Sequence, residues 1–404
     1  MADQALSDIK VLDFSHVIAG PYCTKLLADY GADVIKVERP DTGDGARRLG
    51  PFPDDVPNGE RSGLFLHLNT NKRGITLNLK AAAARDIVFQ LVKETDIVVE
   101  SFRPGTMAAL GLDYTTLKKL NPQLIMTSVS NFGQTGPYRD FKGSEIIFYG
   151  MGGAMFATGF DDREPIKLGG TVGLYQAGTL AAVATMGALL GAKGDDLGQQ
   201  VDISIFETQI SSQDRRTSGL VGHQYTGEVS PRRPLSTAGY PFGIWPCQDG
   251  YFEWFGGLLY FPRVVAMLGN PEFLQEPRWY TPEAQSDPDL VDEFNAYFLG
   301  WCLERTKMEL WEIGQSNNVI SAPVNTVEDV LSDPEFNKRG AFAMMNHPEA
   351  GEVRIPGRPF IMSETPWDLR RPAPTLGQHS QEVLSDELGY SLEELDRMGA
   401  SGVK

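Results

Sequence analysis

The sequence predicts an α/β fold: a large Rossmann-like domain on a parallel sheet, with a smaller α+β domain. First, Ile9–Glu38 holds an apolar strand, a segment of helical spacing and a second apolar strand within about thirty residues, the βαβ building block of parallel sheets. Second, strand–helix alternation continues to Val129, the pattern of a sheet with helices on both faces. Third, Leu168–Ala192 carries no charged residue and is rich in Ala, Leu, Val, Met, Gly and Thr, which predicts a helix buried all round in the domain core.

Ile9–Phe14 is the first strand, and Ser15–Pro21 is the loop leaving it. Tyr22–Tyr30 has helical spacing, and Gly31-Ala32 leads into strand Val34–Glu38, which Arg39-Pro40 ends. Helix Ala81–Glu94, strand Ile97–Glu100, a helix near Thr106–Leu110 and strand Leu124–Val129 follow. The glycine-rich run Gly169–Leu174 feeds the apolar helix, and its free amides and positive dipole end suit an acyl oxygen or a phosphate. Its glycines (169, 170, 173, 178, 187, 191), three threonines and Gln176 make the stretch a poor membrane span. Gln200–Phe206 is a further strand, and Asp214–Thr237, with Arg215, Arg216, Arg232 and Arg233, looks like a polar connection.

The smaller domain is expected over residues 230–330, with the large domain spanning 1–229 and a return of the chain over 331–404. Within it, Phe242–Trp245 and Gly250–Phe255 suggest strands, and helices follow around Pro262–Leu268 and Asp289–Thr306. Val319–Glu328 reads as strand, turn and helix start. Glu352–Phe360 is a Pro/Gly-punctuated edge strand, and Ser380–Leu388 an amphipathic helix with a shorter one after it.

With 404 residues, the chain is long enough for two domains and a large core. A net charge of -17 argues against nucleic acid or an anionic membrane as partner, while leaving room for an anionic substrate in a local basic pocket. Cys23, Cys247 and Cys302 are far apart, without CxxC or metal-type spacing, so neither a disulfide framework nor a metal site is expected. MADQALSDIK has no basic n-region and no apolar h-region, and a cytoplasmic, reducing setting is expected.

The loop Ser15–Pro21 follows the carboxyl end of the first strand, where ligands bind in open parallel sheets. His16 reads either as a ligand contact or as a loop-capping side chain; no GxGxxG or Walker A pattern accompanies it. Arg39, Lys72-Arg73 and Arg103 each fall at a strand or loop end, so they are either surface charges or the cations of a multi-phosphate pocket. Phe102 beside Arg103 offers a face for an adenine ring. Glu145, opening an apolar run, is a helix-start carboxylate or a buried acid near the chemistry. From the residues alone, this is an α/β enzyme binding a phosphorylated ligand.

Taken in order, VLDFSHVIAGPYCTKLLADYGADVIKVERP, NKRGITLNLK, VVESFRPGTMAALGLDY, NPQLIMTSVSNFGQTGPY, GQQVDISIFE, APVNTVEDVLSDPEF and PAPTLGQHSQEVLSDELGYS resemble the family III CoA-transferases nearly end to end. The resemblance implies two subunits threaded as interlocked rings, with coenzyme A or its acyl thioester as substrate and no covalently bound cofactor. It also implies covalent catalysis by an Asp through anhydride and aspartyl-CoA thioester intermediates. CoA contacts carry over to His16, Val17, Ile18 and Ala19; to Arg39; to Asn69, Thr70, Asn71 and Lys72; to Ser101, Phe102 and Arg103; and to Lys142. A basic residue that many members carry shortly after the RPG segment falls on Ala109, and the first-loop Gln falls on Ile18.

The nucleophile departs from the pattern. Framing on Glu145, Gly178 or Gln199 places the family's Asp at Leu174, and leucine cannot attack a thioester. One expectation is a non-nucleophilic subunit of a heteromer, whose paralogous partner carries the intact Asp and which acts on succinyl-CoA and a carboxylic acid such as benzylsuccinate. A second is an active homodimer using Glu145, or less readily Asp161, Asp162 or Glu164. An acyl-CoA racemase or isomerase, or a binding-only protein, completes the range.

Overall fold

A computed structural model describes residues 4–195, 197–211, 214–229, 232, 239–400 and 402–403. Backbone packing divides the chain into two compact units, Met1–Met155 with Lys167–Val229 and Lys338–Lys404, and Phe156–Ile166 with Ser230–Asn337.

The first unit is built on six strands: β1 (Lys10–Phe14), β2 (Asp33–Glu38), β3 (Arg73–Thr76), β4 (Ile97–Glu100), β5 (Ile125–Ser130) and β6 (Gln200–Ser204). They pair in the order β3-β2-β1-β4-β5-β6, and every pairing is parallel. The chain leaves β1 toward β2 on one side and reaches β4 on the other, so the loops after β1 and β4 diverge and open a crevice at their carboxyl ends. Both faces are covered, as the unbroken apolar runs require. Val11, Ile97 and Val99 face one core with the helices Ala19–Asp29 and Val172–Asp195. Leu12, Phe14 and Val98 face the other with helix Ala82–Val92 and the tail residues Val383 and Leu384. Alternation with period two thus assigns each strand residue to a face. A hairpin of β10 (Phe342–His347) and β11 (Gly351–Pro356) completes this unit.

The second unit pairs β7 (Phe242–Cys247), β8 (Gly250–Phe255) and β9 (Ile320–Pro323) antiparallel, in that order. Helix Pro288–Leu303 contributes Phe294 and Phe298 to its aromatic core, with Trp254 and Trp279.

Three sequence expectations change. Residues 214–226 form a helix, Asp214–Thr226, rather than a polar connection; the expected segment's end at residues 233–237 lies outside the described residues. Gln200–Phe206 is a strand only to Ser204, after which helix Ile205–Ser211 begins. The apolar helix is not buried all round: Val172, Val183 and Leu190 are 49%, 65% and 70% exposed, while Ala177, Ala181 and Leu189 are buried in the core. Composition marked the helix as apolar on every side, but the fold of one chain covers only one side. By length and composition Val172–Gly194 would also cross a membrane; its packing against the sheet is that of a core helix.

Gly178 sets how closely the two helices of that face approach. A Cβ there would lie 2.5 Å from the Ala19 carbonyl oxygen and 3.1 Å from Tyr22 Cβ. Backbone at that distance cannot yield without moving a helix. Gly178→Val is therefore expected to lower the unfolding free energy by about 1–3 kcal/mol or more, read from the urea midpoint; a midpoint at the wild-type value would show that the approach is not constrained.

Candidate active site

The carboxyl ends of β1 and β2 stand over a cluster of buried charges. Lys72 Nζ lies 3.1 Å from Asp13 Oδ2, both side chains fully buried, and donates also to Thr24 Oγ1, Asn69 Oδ1 and the Pro21 carbonyl. Lys36 Nζ lies 2.8 Å from Asp44 Oδ2 and donates to the Ser15 carbonyl at 2.9 Å. Burial pushes Asp13 up, but Lys72, Lys36 and hydrogen bonds from Ser15 and Thr24 outweigh it and hold the carboxyl below its ordinary range. Burial pulls Lys72 down to about 8, against the attraction of Asp13, so the pair is charged at neutral pH. Glu38 binds Arg47 through both carboxylate oxygens, at 2.7 Å each. Such pairs persist only when most of the remaining polar valences are met, as the Thr24, Asn69, Pro21 and Ser15 contacts meet those of the two lysines.

The first loop rests on this cluster. Val17 has φ 69°, a left-handed conformation that a β-branched residue adopts at a cost of about 1–3 kcal/mol. Two hydrogen bonds hold it: His16 N–H donates to Ser101 Oγ at 2.7 Å, and Val17 N–H to Asp44 Oδ1 at 2.9 Å. Ser101 follows β4 and Asp44 follows β2, so the strained loop is pinned from both sides of the crevice. The His16 ring stands edge-on to Phe102, centroids 5.2 Å apart. Burial, then the Lys36 ammonium, lowers the His16 pKa, so the ring is neutral at pH 7. Its Nε2 is buried with no hydrogen-bond partner among the described residues.

The other predicted positions divide into two groups. Arg39, Arg103 and Lys142 are exposed at the carboxyl ends of β2, β4 and β5 or in the loops beyond them. Ile18 and Ala19 are buried where helix Ala19–Asp29 begins. Asn69, Thr70, Asn71 and Lys72 turn inward. Thr70 Oγ1 and Asn71 Nδ2 donate to Asp29 Oδ1, and Asn71 Oδ1 accepts the Arg370 and Arg371 amides. The expectation that Lys72 and Arg73 present free cations is corrected. Lys72 is spent on Asp13, and Arg73 pairs with Asp33, Glu382 and Glu387 near the amino ends of β2 and β3. What residues 69–72 can offer a ligand is backbone.

At the start of helix Val172–Asp195, Glu145 Oε1 accepts the Gly173 amide at 2.8 Å and Lys167 Nζ lies 3.5 Å from Oε2. The helix-start reading of Glu145 holds for its own helix, Glu145–Met151, and its carboxylate also meets the start of helix Val172–Asp195. The glycine-rich edge is correspondingly less open than expected, since the carboxylate already takes one of its amides. Leu174, half-buried, packs against the core. Beside it Tyr175 meets Tyr22 edge-on at 4.8 Å and His67 at 6.4 Å. Gln209, 1% exposed, sits beneath Gly173 with Nε2 3.5 Å from its carbonyl and Oε1 without a partner among the described residues. No spacing in the sequence pointed to Asp13, Asp44, Ser101's partner role or Gln209; Asp13 alone carried a signal, a charge inside an apolar strand.

Three comparisons bear on this site. A model described as CoA-transferase family III matches residues 6–380. The succinyl-CoA–D-citramalate CoA-transferase of Chloroflexus aurantiacus is 35% identical over 98% of both chains, and the succinate–glutarate CoA-transferase of Agrobacterium fabrum is 34% identical over 94% of this chain and 95% of its own. A solved CAIB/BAIF family protein from Brucella suis, 30% identical, superposes with a TM-score of 0.83 over 95% of this chain and 99% of its own.

Glu100, at the end of β4 and 3% exposed, generates a pH prediction. Burial raises its pKa from 4.5 to about 7, against hydrogen bonds from Ser128 and the Phe102 amide. A folded pKa above the unfolded one favours folding below the unfolded value and loses that advantage as pH rises through the folded value. Glu100→Gln is therefore expected to gain stability over the wild type, by about 1–3 kcal/mol between pH 5 and 8. Urea unfolding across that range checks it; a difference independent of pH would contradict it.

Proposed function

This chain belongs to CoA-transferase family III, an enzyme family whose substrates are CoA thioesters, and we propose that it is the non-nucleophilic subunit of a heteromeric member. Leu174 carries the reading. It stands on the first turn of the core helix, where the resemblance puts the nucleophilic Asp, and an alkyl side chain has no atom that can attack a thioester carbonyl. The exposed apolar residues Val172, Val183 and Leu190 on that helix, with Leu197 just beyond it, give a second chain a surface to cover, as an interlocked-ring dimer would.

In this reading a paralogous subunit supplies the Asp. Its carboxylate oxygen attacks the acyl-CoA carbonyl and releases CoA thiolate; the thiolate then attacks the aspartyl carbonyl of the mixed anhydride and releases the donor acid. The acceptor carboxylate reverses the sequence, so no other cofactor is needed. Succinyl-CoA is the proposed donor, supported by the name of the Chloroflexus aurantiacus relative and by the succinate in that of the Agrobacterium fabrum one; benzylsuccinate is the proposed acceptor. CoA is held by the backbone of His16–Ala19, Phe102 under the adenine, and Arg39, Arg103 and Lys142 on phosphates. A reducing, cytoplasmic setting suits the three free, buried cysteines.

One observation favours a second reading, a homodimer using Glu145: that carboxylate is 2.8 Å from the Gly173 amide, at the same helix start. Native mass spectrometry of the complex purified from its source separates the two. The expected result is a second, Asp-bearing chain and no succinyl-CoA turnover or covalent adduct from the present chain alone. Turnover by the single chain that Glu145→Gln abolishes would establish the second reading instead.

A further inference from the structure

The loop from β5 to helix Glu145–Met151 carries a cation that the phosphate-binding set above leaves out. Arg139 reaches across to the turn after β4. A Cβ on Gly105 would lie 3.2 Å from Arg139 Nη2, and Gly105 itself has φ 85°, so the turn that follows Arg103-Pro104 leaves room for this guanidinium. Arg139 Nε is buried with no partner among the described residues, and the carboxylate paired with this guanidinium, Asp140, is 3.9 Å away and 79% exposed. Unlike Lys72 and Arg73, whose charges are spent inside the fold, Arg139 pairs among the described residues only loosely, with an exposed carboxylate, at the carboxyl edge of the sheet. Exposed Arg103 and Lys142 stand on the same two loops. In a chain of net charge -17, three cations carried by these two loops favour an anion there, with Asp140 the carboxylate on the same loop and Asp202 bonded to that loop through the Gln134 amide.

We propose that Arg139 binds a phosphate group of coenzyme A, taking the place of the cation missing at Ala109; this rests on the CoA-binding reading above. Ala109 N–H donates to the Gly105 carbonyl at 3.0 Å, one helical turn on, so a long basic side chain at position 109 starts from the same turn that Arg139 covers. A guanidinium donates two hydrogen bonds in a plane to a phosphate, and a charge-assisted contact of that kind is worth about tenfold or more in affinity.

Calorimetric titration of the purified complex with CoA and with dephospho-CoA tests it, using Arg139→Gln, which removes the charge and keeps a polar side chain, and the double variant Arg139→Gln with Ala109→Arg. Arg139→Gln is expected to weaken CoA binding about tenfold or more at an unchanged melting temperature, with affinity restored in the double variant. A loss confined to CoA assigns the 3′-phosphate, and an equal loss for dephospho-CoA assigns the diphosphate. Wild-type affinity for both ligands in Arg139→Gln overturns the role of Arg139 alone. Absence of CoA binding by the wild-type chain's site overturns the underlying reading as well.

Discussion

Two buried ion pairs, Asp13–Lys72 and Lys36–Asp44, are the constraint on which the rest of the first unit depends. They tie β1 and β2 to the segment ahead of β3 and to the turn after β2, at the one edge where a parallel sheet of this order opens. Removing a partner from such a pair leaves an uncompensated charge in the interior, a cost of about 3–5 kcal/mol, so the arrangement has little freedom to relax. That rigidity is what allows Val17 to be kept left-handed and His16 to be kept neutral over the crevice. The strain is held by amide hydrogen bonds to Ser101 and Asp44, each fixed in turn by its own strand end.

The second feature of consequence is what happens at the helix start when a reactive carboxylate is absent. A helix N-terminus carries unpaired amides and a partial positive charge. In this chain Glu145 supplies the negative charge from another helix and Lys167 balances it, so the helix start is electrostatically complete with leucine at position 174. The carboxylate at this helix start is thus that of Glu145, and position 174 presents an alkyl side chain.

Binding and structure also divide the cations between them. In an acidic chain a basic residue contributes to ligand binding only if no carboxylate of the fold has already claimed it. Lys36, Lys72, Arg47 and Arg73 are all claimed. Arg39, Arg103, Lys142 and Arg139 stand at loops on the carboxyl side of the sheet, and among the described residues none of them pairs with a buried carboxylate.

The amino-acid sequence by itself determined the α/β class, five of the six strands of the parallel sheet to within a few residues, the position of the crevice loop and the leucine at position 174. These are local properties: apolar period, turn residues and an ordered set of motifs are written in consecutive residues. Tertiary structure alone decided which charges are available and which apolar surface is covered. Lys72 meets Asp13 across 59 residues, and no spacing rule reveals that pairing. Uniform apolarity likewise told that the helix after Gly170 must be covered, but not that its own chain covers only one side and leaves Val183 and Leu190 in the open. Arg139 carries no signal in the sequence for the same reason: its guanidinium reaches a glycine turn 34 positions earlier in the chain, and its buried Nε has no partner among the described residues.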